Sequence, residues 1–224
     1  MFNSSYHCLL GAKELQDDIE ITVEEAVDIA RYNNLVLNLK SELTDNITIS
    51  GKSSKVRHLF DSALTPDSLV DYIETIVPDN FKCYLFEGIN TKNISDILNI
   101  LANEYLLKGW DVELYHQPLN PERIQTVLVE KLCIAFTVNG KMKGTACRIV
   151  DMGQLIIGDK LKAKEDSISK DMEMKEILLS ETFKRINIAK TKHDDMEKSY
   201  IPQMDFVAVT EFRKKIIERI KKYI

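Results

Sequence analysis

Residues 88–95 have the spacing of a phosphate-binding loop but lack part of its chemistry. The segment reads G-I-N-T-K-N-I-S, follows the apolar run "CYLF" and precedes a helical pattern. In the motif G-x-x-x-x-G-K-[ST], backbone N–H groups and a helix N-terminus hold the phosphates, the lysine contacts the β- and γ-phosphates, and the hydroxyl binds Mg²⁺. Here Asn93 replaces the second glycine and Ile94 replaces the lysine. The residues of a degenerate nucleotide-binding loop would be Gly88, Asn90, Thr91, Lys92, Asn93 and Ser95.

The residues alone leave two interpretations of this loop open: a relic of a phosphate-binding loop, or an unrelated strand-to-helix turn. Ile94 cannot hold a phosphate, and we expect it to pack on the apolar face of the helix. Asn93 tolerates left-handed backbone better than most residues, which is compatible with a glycine-like loop shape. Lys92 lies two positions too early to replace the missing ammonium group directly. The stretch "SGKSS" at residues 50–54 lacks the first glycine of the motif and is interpreted as a polar connector.

Three other residues have side chains suited to ligand or metal chemistry. Asp151 follows the apolar run "CRIV" and is the candidate Mg²⁺-linked acid, the alternative being a strand-end carboxylate that satisfies a turn. His58 and His116 are each either a ligand contact or a structural histidine beside aromatic residues. The four cysteines have no C-x-x-C spacing, so we expect reduced thiols and no zinc site.

The apolar pattern around the loop predicts a βαβ unit. "CYLF" is suited to a buried parallel strand, and "DVELYH" follows Gly109 as a second strand. Between them Ser95 is the expected N-cap of a helix. Its apolar stripe is formed by Ile94, Ile97, Leu98, Leu101 and Tyr105. The runs "TVLVEKLCIAFTVNG" and "TACRIVD" supply at least two more strands, which makes the chain an α/β protein.

Helical patterns dominate both ends of the chain. Residues 12–43 are expected to be helical, and residues 44–55 form a polar junction. After "VRHLF", Thr65 or Asp67 is expected to cap a further helix that has Pro66 near its start. The chain is again helical and highly charged from Asp159 onward. The basic terminal stretch "FRKKIIERIKKYI" is interpreted as a solvated helix packed on the domain, with a partner or a membrane surface as the alternative.

A faint internal repeat links the two helical ends. Residues 12–28 align with residues 189–205 without a gap, and six of the seventeen positions are identical. The identical pairs are Ala12/Ala189, Lys13/Lys190, Asp17/Asp194, Asp18/Asp195, Glu20/Glu197 and Asp28/Asp205. The alternative is two helices that share only an amphipathic, charged composition.

The composition narrows the class of protein. The chain has 224 residues, 44% hydrophobic and 29% charged, which is typical of a globular protein with a sizeable core. A net charge of −5 gives no general basic field for nucleic acid. No apolar run approaches a membrane span, and the start of the chain lacks the features of a signal peptide. We therefore expect a cytoplasmic protein.

Five segments in order resemble the second half of an uncharacterised bacterial family of tandem P-loop ATPase-like proteins. The matching segments are "KVRHLFDSALTP", "YLFEGINTKNIS", "KGWDVELYHQPLNPERI", "KLCIAFT" and "HDDMEKSYIPQMDF". The resemblance implies a P-loop NTPase-like, mostly parallel sheet flanked by helices, with N- and C-terminal helical segments. It also implies that residues 1–50 correspond to the tail of a preceding repeat and residues 51–224 to the P-loop-like domain.

The chain departs from this family at the positions that carry phosphoryl transfer. The family's lysine is Ile94, the acid expected after "L-x-P-x-x-I" is Gln125, and the strand "LCIAFT" ends without a carboxylate. The resemblance therefore implies ATP and Mg²⁺ as the ligands, bound weakly if at all, and a structural or regulatory role with little or no hydrolysis. The alternatives are a residual ATPase or small phosphotransferase, or a module that binds itself or a partner ATPase subunit through its terminal helices.

Overall fold

A computed structural model describes residues 2–88 and 92–223 of the chain. The helices are α1 (Phe2–Glu24), α2 (Ile29–Thr44), α3 (Ile73–Ile76), α4 (Lys92–Leu107), α5 (Gly158–Lys162), α6 (Glu165–Tyr200) and α7 (Phe206–Lys221). The strands are β1 (Val56–Phe60), β2 (Ser62–Leu64), β3 (Leu69–Asp71), β4 (Lys82–Glu87), β5 (Val112–His116), β6 (Ile124–Val129), β7 (Ile134–Thr137) and β8 (Arg148–Asp151). A 3-10 turn, Ile201–Gln203, separates α6 from α7.

Six strands form one mixed sheet in the order β1-β5-β6-β7-β4-β8. Strands β1, β5, β7, β4 and β8 run parallel, whereas β6 runs antiparallel to both of its neighbours. β2 and β3 form a separate antiparallel hairpin. The expected α/β architecture with a mostly parallel sheet, flanking helices and helical ends is therefore confirmed.

Helix α4 is packed between the sheet and α2. Its apolar stripe is almost completely buried: Ile94, Ile97, Leu98 and Leu101 are each at most 1% exposed. On one side this stripe packs on β6 and its neighbours, and on the other side α2 contributes Leu39 and Leu43 to the same core. The hydroxyl of Tyr105 in α4 donates a 2.8 Å hydrogen bond to the carbonyl oxygen of Leu43. Because α4 is covered on two sides, its apolar stripe is buried from Ile94 to Tyr105.

Helices α1 and α6 form an antiparallel pair beside this core. Lys175 Nζ donates to Gln16 Oε1 at 2.9 Å, and Arg185 contacts Ser4 at the other end of α1. The C-terminal half of α1 is tied to the loop between β5 and β6, because Glu20 forms a 3.0 Å ion pair with Arg123. α6 continues from Arg185 to Tyr200, beyond its contact with Ser4 near the start of α1.

Three expectations for the helices need correction. The single helical stretch at residues 12–43 is two helices, because the chain turns at residues 25–28 and Asp28 caps α2. The helix expected near Thr65 is instead the β2–β3 hairpin, in which Thr65 Oγ1 donates to the carbonyl oxygen of Ser68 at 2.7 Å. Finally, α7 does not pack on the domain, since all of its residues are exposed.

Two further features concern the surface and the thiols. None of the helices in the described part of the chain combines the length and apolarity needed to cross a membrane. All four cysteines are free thiols. Burial raises the pKa of the Cys83 thiol to about 11, which keeps it protonated and unreactive near neutral pH.

The packing of α4 predicts that two leucines on the same helix contribute very differently to the free energy of unfolding. Leu98 is 0% exposed and Leu107 is 80% exposed. We expect Leu98→Ala to lower the free energy of unfolding by about 2–5 kcal/mol because it leaves a cavity. Leu107→Ala is the matched control and should change the free energy by less than about 0.5 kcal/mol. Urea unfolding of both variants checks this, and equal losses would contradict the placement of α4.

Candidate functional site

Gly88 directly follows β4 and has a backbone conformation that favours glycine, with φ at +104°. A Cβ atom at this position would lie 2.6 Å from the backbone nitrogen of Gly153 and 3.1 Å from Asp151 Oδ1. The turn after β8 therefore approaches β4 so closely that no side chain fits at residue 88. This contact accounts for the glycine whether or not a phosphate binds.

Ile94 and Ser95, which stand at the lysine and hydroxyl positions of the motif, are both buried. Ile94 is 1% exposed and belongs to the main core cluster, as expected from the sequence. Ser95 is 7% exposed, and its Oγ accepts a 2.8 Å hydrogen bond from the backbone N–H of Ile124 at the start of β6. Ser95 is also not the N-cap that the sequence predicted, because α4 already begins at Lys92. The hydroxyl that would bind Mg²⁺ thus joins α4 to the sheet.

Lys92 and Asn93 lie in the first turn of α4, close to α1 and α2. Lys92 is exposed, and the carbonyl oxygen of Asn93 accepts a 3.2 Å hydrogen bond from the hydroxyl of Tyr32. Burial raises the pKa of Glu24 above its usual value; the charge of Glu20 raises it further, while that of Lys92 lowers it. Glu20, Glu24 and Lys92 therefore lie close enough to interact near the N-terminus of α4.

Asp151 lies at the end of β8, directly opposite Glu87 in the register of β4 and β8. Its Oδ1 accepts a 2.8 Å hydrogen bond from the backbone N–H of Gly153, so its carboxylate holds a turn. Glu87 forms a 3.0 Å ion pair with Lys143. Of the predicted site residues, Asp151 and Gly88 are brought together. Asn90 and Thr91 lie outside the described residues.

A buried polar network, which the sequence did not single out, lies near the C-terminal ends of the parallel strands. Asp61 follows β1 and is 0% exposed. Its carboxylate accepts hydrogen bonds from Gln125 Nε2, from Ser62 Oγ at 3.1 Å and from Thr126 Oγ1 at 2.9 Å. The hydroxyls of Thr126 and Thr137 are 2.8 Å apart and extend the network to β7. Gln125 stands where the resemblance implies an acid, and it serves here as a hydrogen-bond donor.

The acid–base state of Asp61 follows from its burial. Desolvation raises its pKa above the usual 3.8, although the hydrogen bonds from Thr126, Gln125 and Ser62 oppose the shift. Since each carboxylate oxygen already accepts a hydrogen bond from a neighbouring side chain, Asp61 holds β1, β6 and β7 together.

A cleft of about 480 Å³ lies beside this network. Its walls come from α1, α6, the β2–β3 hairpin and the β5–β6 loop, and they include Leu64, Leu69, Leu179 and Phe183. Gln125 is shared between the cleft and the Asp61 network. The cleft is large enough for a small ligand, but its described lining contains no metal-ligand cluster and no nucleophile paired with a base.

His58 and His116 contact each other across β1 and β5. His58 Nδ1 and His116 Nε2 are 2.9 Å apart, and the two rings stack with centroids 5.1 Å apart. Burial lowers the pKa of His116, and the neighbouring His58 lowers it further. His116 Nδ1 is buried and faces the backbone at Pro121 without good hydrogen-bond geometry among the described residues. These contacts support a structural role for the pair.

Comparisons of the chain with protein-family models, with curated proteins and with solved structures found no match.

The Asp61 network predicts the effect of restoring an acid at residue 125. Gln125→Glu places a second carboxylate against Asp61, and the two repel each other when both are ionised. We expect a loss of about 2–4 kcal/mol in the free energy of unfolding at pH 7. Because the pKa of Asp61 is raised in the folded state, protonation of Asp61 stabilises the fold. This contribution to the free energy of unfolding is fully present below pH 3.8 and is lost as the pH rises through the folded-state pKa. The loss in Gln125→Glu should therefore be smaller at pH 4.

Urea unfolding at the two pH values measures this effect. Gln154→Glu is the matched control, because Gln154 is exposed. A loss that is the same at both pH values, or the same in both variants, would mean that residue 125 is not held against Asp61.

Proposed function

We propose that the chain is a degenerate P-loop ATPase-like protein with little or no nucleotide hydrolysis, and that it acts as a structural or regulatory module. The observation that carries the proposal is the burial of Ile94 at the lysine position, at 1% exposure. A buried isoleucine offers no charge to the β- and γ-phosphates, and charge-assisted hydrogen bonds contribute about 1.5–3 kcal/mol each. The engaged hydroxyl of Ser95 supports the same proposal, because Mg²⁺ needs a free oxygen at that position.

The charges around α4 also support weak nucleotide binding. Glu24 and Asp96 both affect the pKa of Tyr32, which is raised to about 12, mainly by burial. Lys92 and Arg123 are the basic groups that lower the pKa of Glu24, and Glu20 and Asp96 are the acidic groups that raise it. With acids at least as numerous as bases near this helix N-terminus, a triphosphate gains little electrostatic attraction.

A second candidate function is a helix-mediated interaction module. It is favoured by the exposure of α7, where Phe212 is 65% exposed and Ile220 is 52% exposed. Exposed apolar stripes of this kind commonly mark contacts with another macromolecule. The two functions are compatible, because a module without catalysis acts through what it binds.

Calorimetric titration with ATP and Mg²⁺ tests the main proposal. We expect a dissociation constant weaker than about 100 μM. Phosphate release should stay at background, and it should be equal in the wild type and in Lys92→Ala, since Lys92 does not replace the missing lysine. A micromolar dissociation constant, or hydrolysis that Lys92→Ala abolishes, would favour the residual enzyme instead.

A further inference from the structure

Two segments of the chain have the same order of helix, aspartate cap and second helix. Only in the first segment does the second helix pack against the domain. The N-terminal segment is residues 12–44 and the C-terminal segment is residues 189–221; they align without a gap. Helices α2 and α7 are each 16 residues long, and their bounds coincide in this alignment. Each helix follows an aspartate, Asp28 or Asp205, whose side chain accepts hydrogen bonds from the backbone N–H groups two and three residues later.

The face of α2 that packs on α4 has an exposed counterpart on α7. Leu39 and Leu43 are 1% and 8% exposed, whereas the aligned Ile216 and Ile220 are 43% and 52% exposed. Two other α2 residues packed against the core, Tyr32 and Leu35, align with Val209 and Phe212, which are 50% and 65% exposed. Val209, Phe212, Ile216 and Ile220 of α7 thus stand at the positions of α2 that pack on α4, but in the described part of the chain no helix covers them.

The acidic residues of the two segments occupy corresponding positions. Asp17 accepts a 2.8 Å hydrogen bond from Asn120 Nδ2, and Glu20 pairs with Arg123, so both acids hold the β5–β6 loop. Their counterparts Asp194 and Glu197 lie on the outer half of α6 at exposed or half-exposed positions.

The neighbours of these acids correspond too. Gln16 Nε2 donates to Glu20 at 3.1 Å, and the aligned His193 Nδ1 lies 3.4 Å from Glu197. His193, Asp194 and Glu197 could together hold a metal ion by distance alone. These three residues align with Gln16, Asp17 and Glu20, of which the two acids bind the β5–β6 loop. The cluster is therefore accounted for as a set of side chains that binds a loop, and no metal is needed to explain it.

We propose that the C-terminal segment docks a second α/β domain in the way that the N-terminal segment docks the domain of this chain. The partner presents an uncovered apolar helix face like that of α4, beside a loop with an amide and a guanidinium group in the places of Asn120 and Arg123. An intact second copy of this chain is not the partner, because its α4 is already covered by its own α2. The proposal rests on the repeated positions of the caps, apolar residues and acids, and it is independent of nucleotide binding at residues 88–95.

The charges of α7 further define this partner. α7 carries five basic and two acidic residues. The 2.8 Å ion pair between Lys40 of α2 and Glu104 of α4 has no counterpart on α7, because Lys40 aligns with Ile217. Arg213 of α7 aligns with Val36, which packs against the core. The partner helix therefore carries carboxylates at the edges of its apolar face, including one within reach of Arg213.

The first test exchanges the helices within the full chain. Residues 29–44 are replaced by the sequence of residues 206–221, so that the α7 sequence is presented to α4. The control carries the same replacement with lysine at the two positions taken from Ile216 and Ile220. We expect the exchanged chain to unfold cooperatively, with a thermal midpoint about 6–12 °C above that of the control. Equal midpoints, or an exchanged chain that does not fold, would overturn the proposal.

The second test supplies an uncovered α4 face in trans. The full-length variant Leu39→Ala/Leu43→Ala weakens the packing of α2, so that α7 of another molecule can take its place. Sedimentation velocity should show concentration-dependent association of this variant. Adding Ile216→Asp and Ile220→Asp should restore the monomer, whereas adding Lys215→Ala on the polar face should not. A folded Leu39→Ala/Leu43→Ala variant that stays monomeric overturns the proposal, and if that variant does not fold, the exchanged chain decides.

Discussion

The burial of α4 from its first turn onward is the constraint on which the rest of the structure depends. Ile94 is part of the core and Ser95 binds the backbone of β6, so the N-terminus of this helix is held by the fold itself. In a working phosphate-binding loop the same two positions face the ligand. In this chain the same end of the helix is a packing contact with the sheet.

The same helix connects the interior of the domain to its terminal segments. Tyr105 binds the backbone of α2, and Lys40 of α2 pairs with Glu104. α1 continues this cover by holding the β5–β6 loop through Glu20. This segment touches the domain through one apolar face and one polar loop. α7 has the same aspartate cap and apolar positions as α2, but its apolar residues are exposed.

Local patterns in the sequence predicted the elements that local forces determine. The strands β4, β5 and β8 and the stripe of α4 were predicted from short apolar runs, and Ile94 was expected to be buried. The β2–β3 hairpin was missed because a threonine followed by a proline also signals a helix start, whereas Thr65 here binds Ser68 across a turn. The exposure of α7 was also missed, since an amphipathic pattern shows that a helix has a partner but not which molecule supplies it.

The polar network around Asp61 joins residues whose contact could not be predicted from the sequence. Its partners Gln125 and Thr126 lie 64 and 65 residues away along the chain. No spacing rule connects such positions, and only the order of strands in the sheet brings them together. The resemblance implies an acid at position 125, whereas Gln125 donates a hydrogen bond to the buried carboxylate of Asp61.

The stability of Ile94→Lys tests most directly whether the motif's lysine position is a core position in this chain. Asn99→Lys is the reference, because Asn99 lies on the exposed side of the same helix. The account predicts that Ile94→Lys loses about 3–5 kcal/mol in the free energy of unfolding and gains no affinity for ATP with Mg²⁺. Asn99→Lys should change the free energy by less than about 0.5 kcal/mol. An Ile94→Lys protein that is as stable as Asn99→Lys and binds ATP at micromolar concentration would contradict the account.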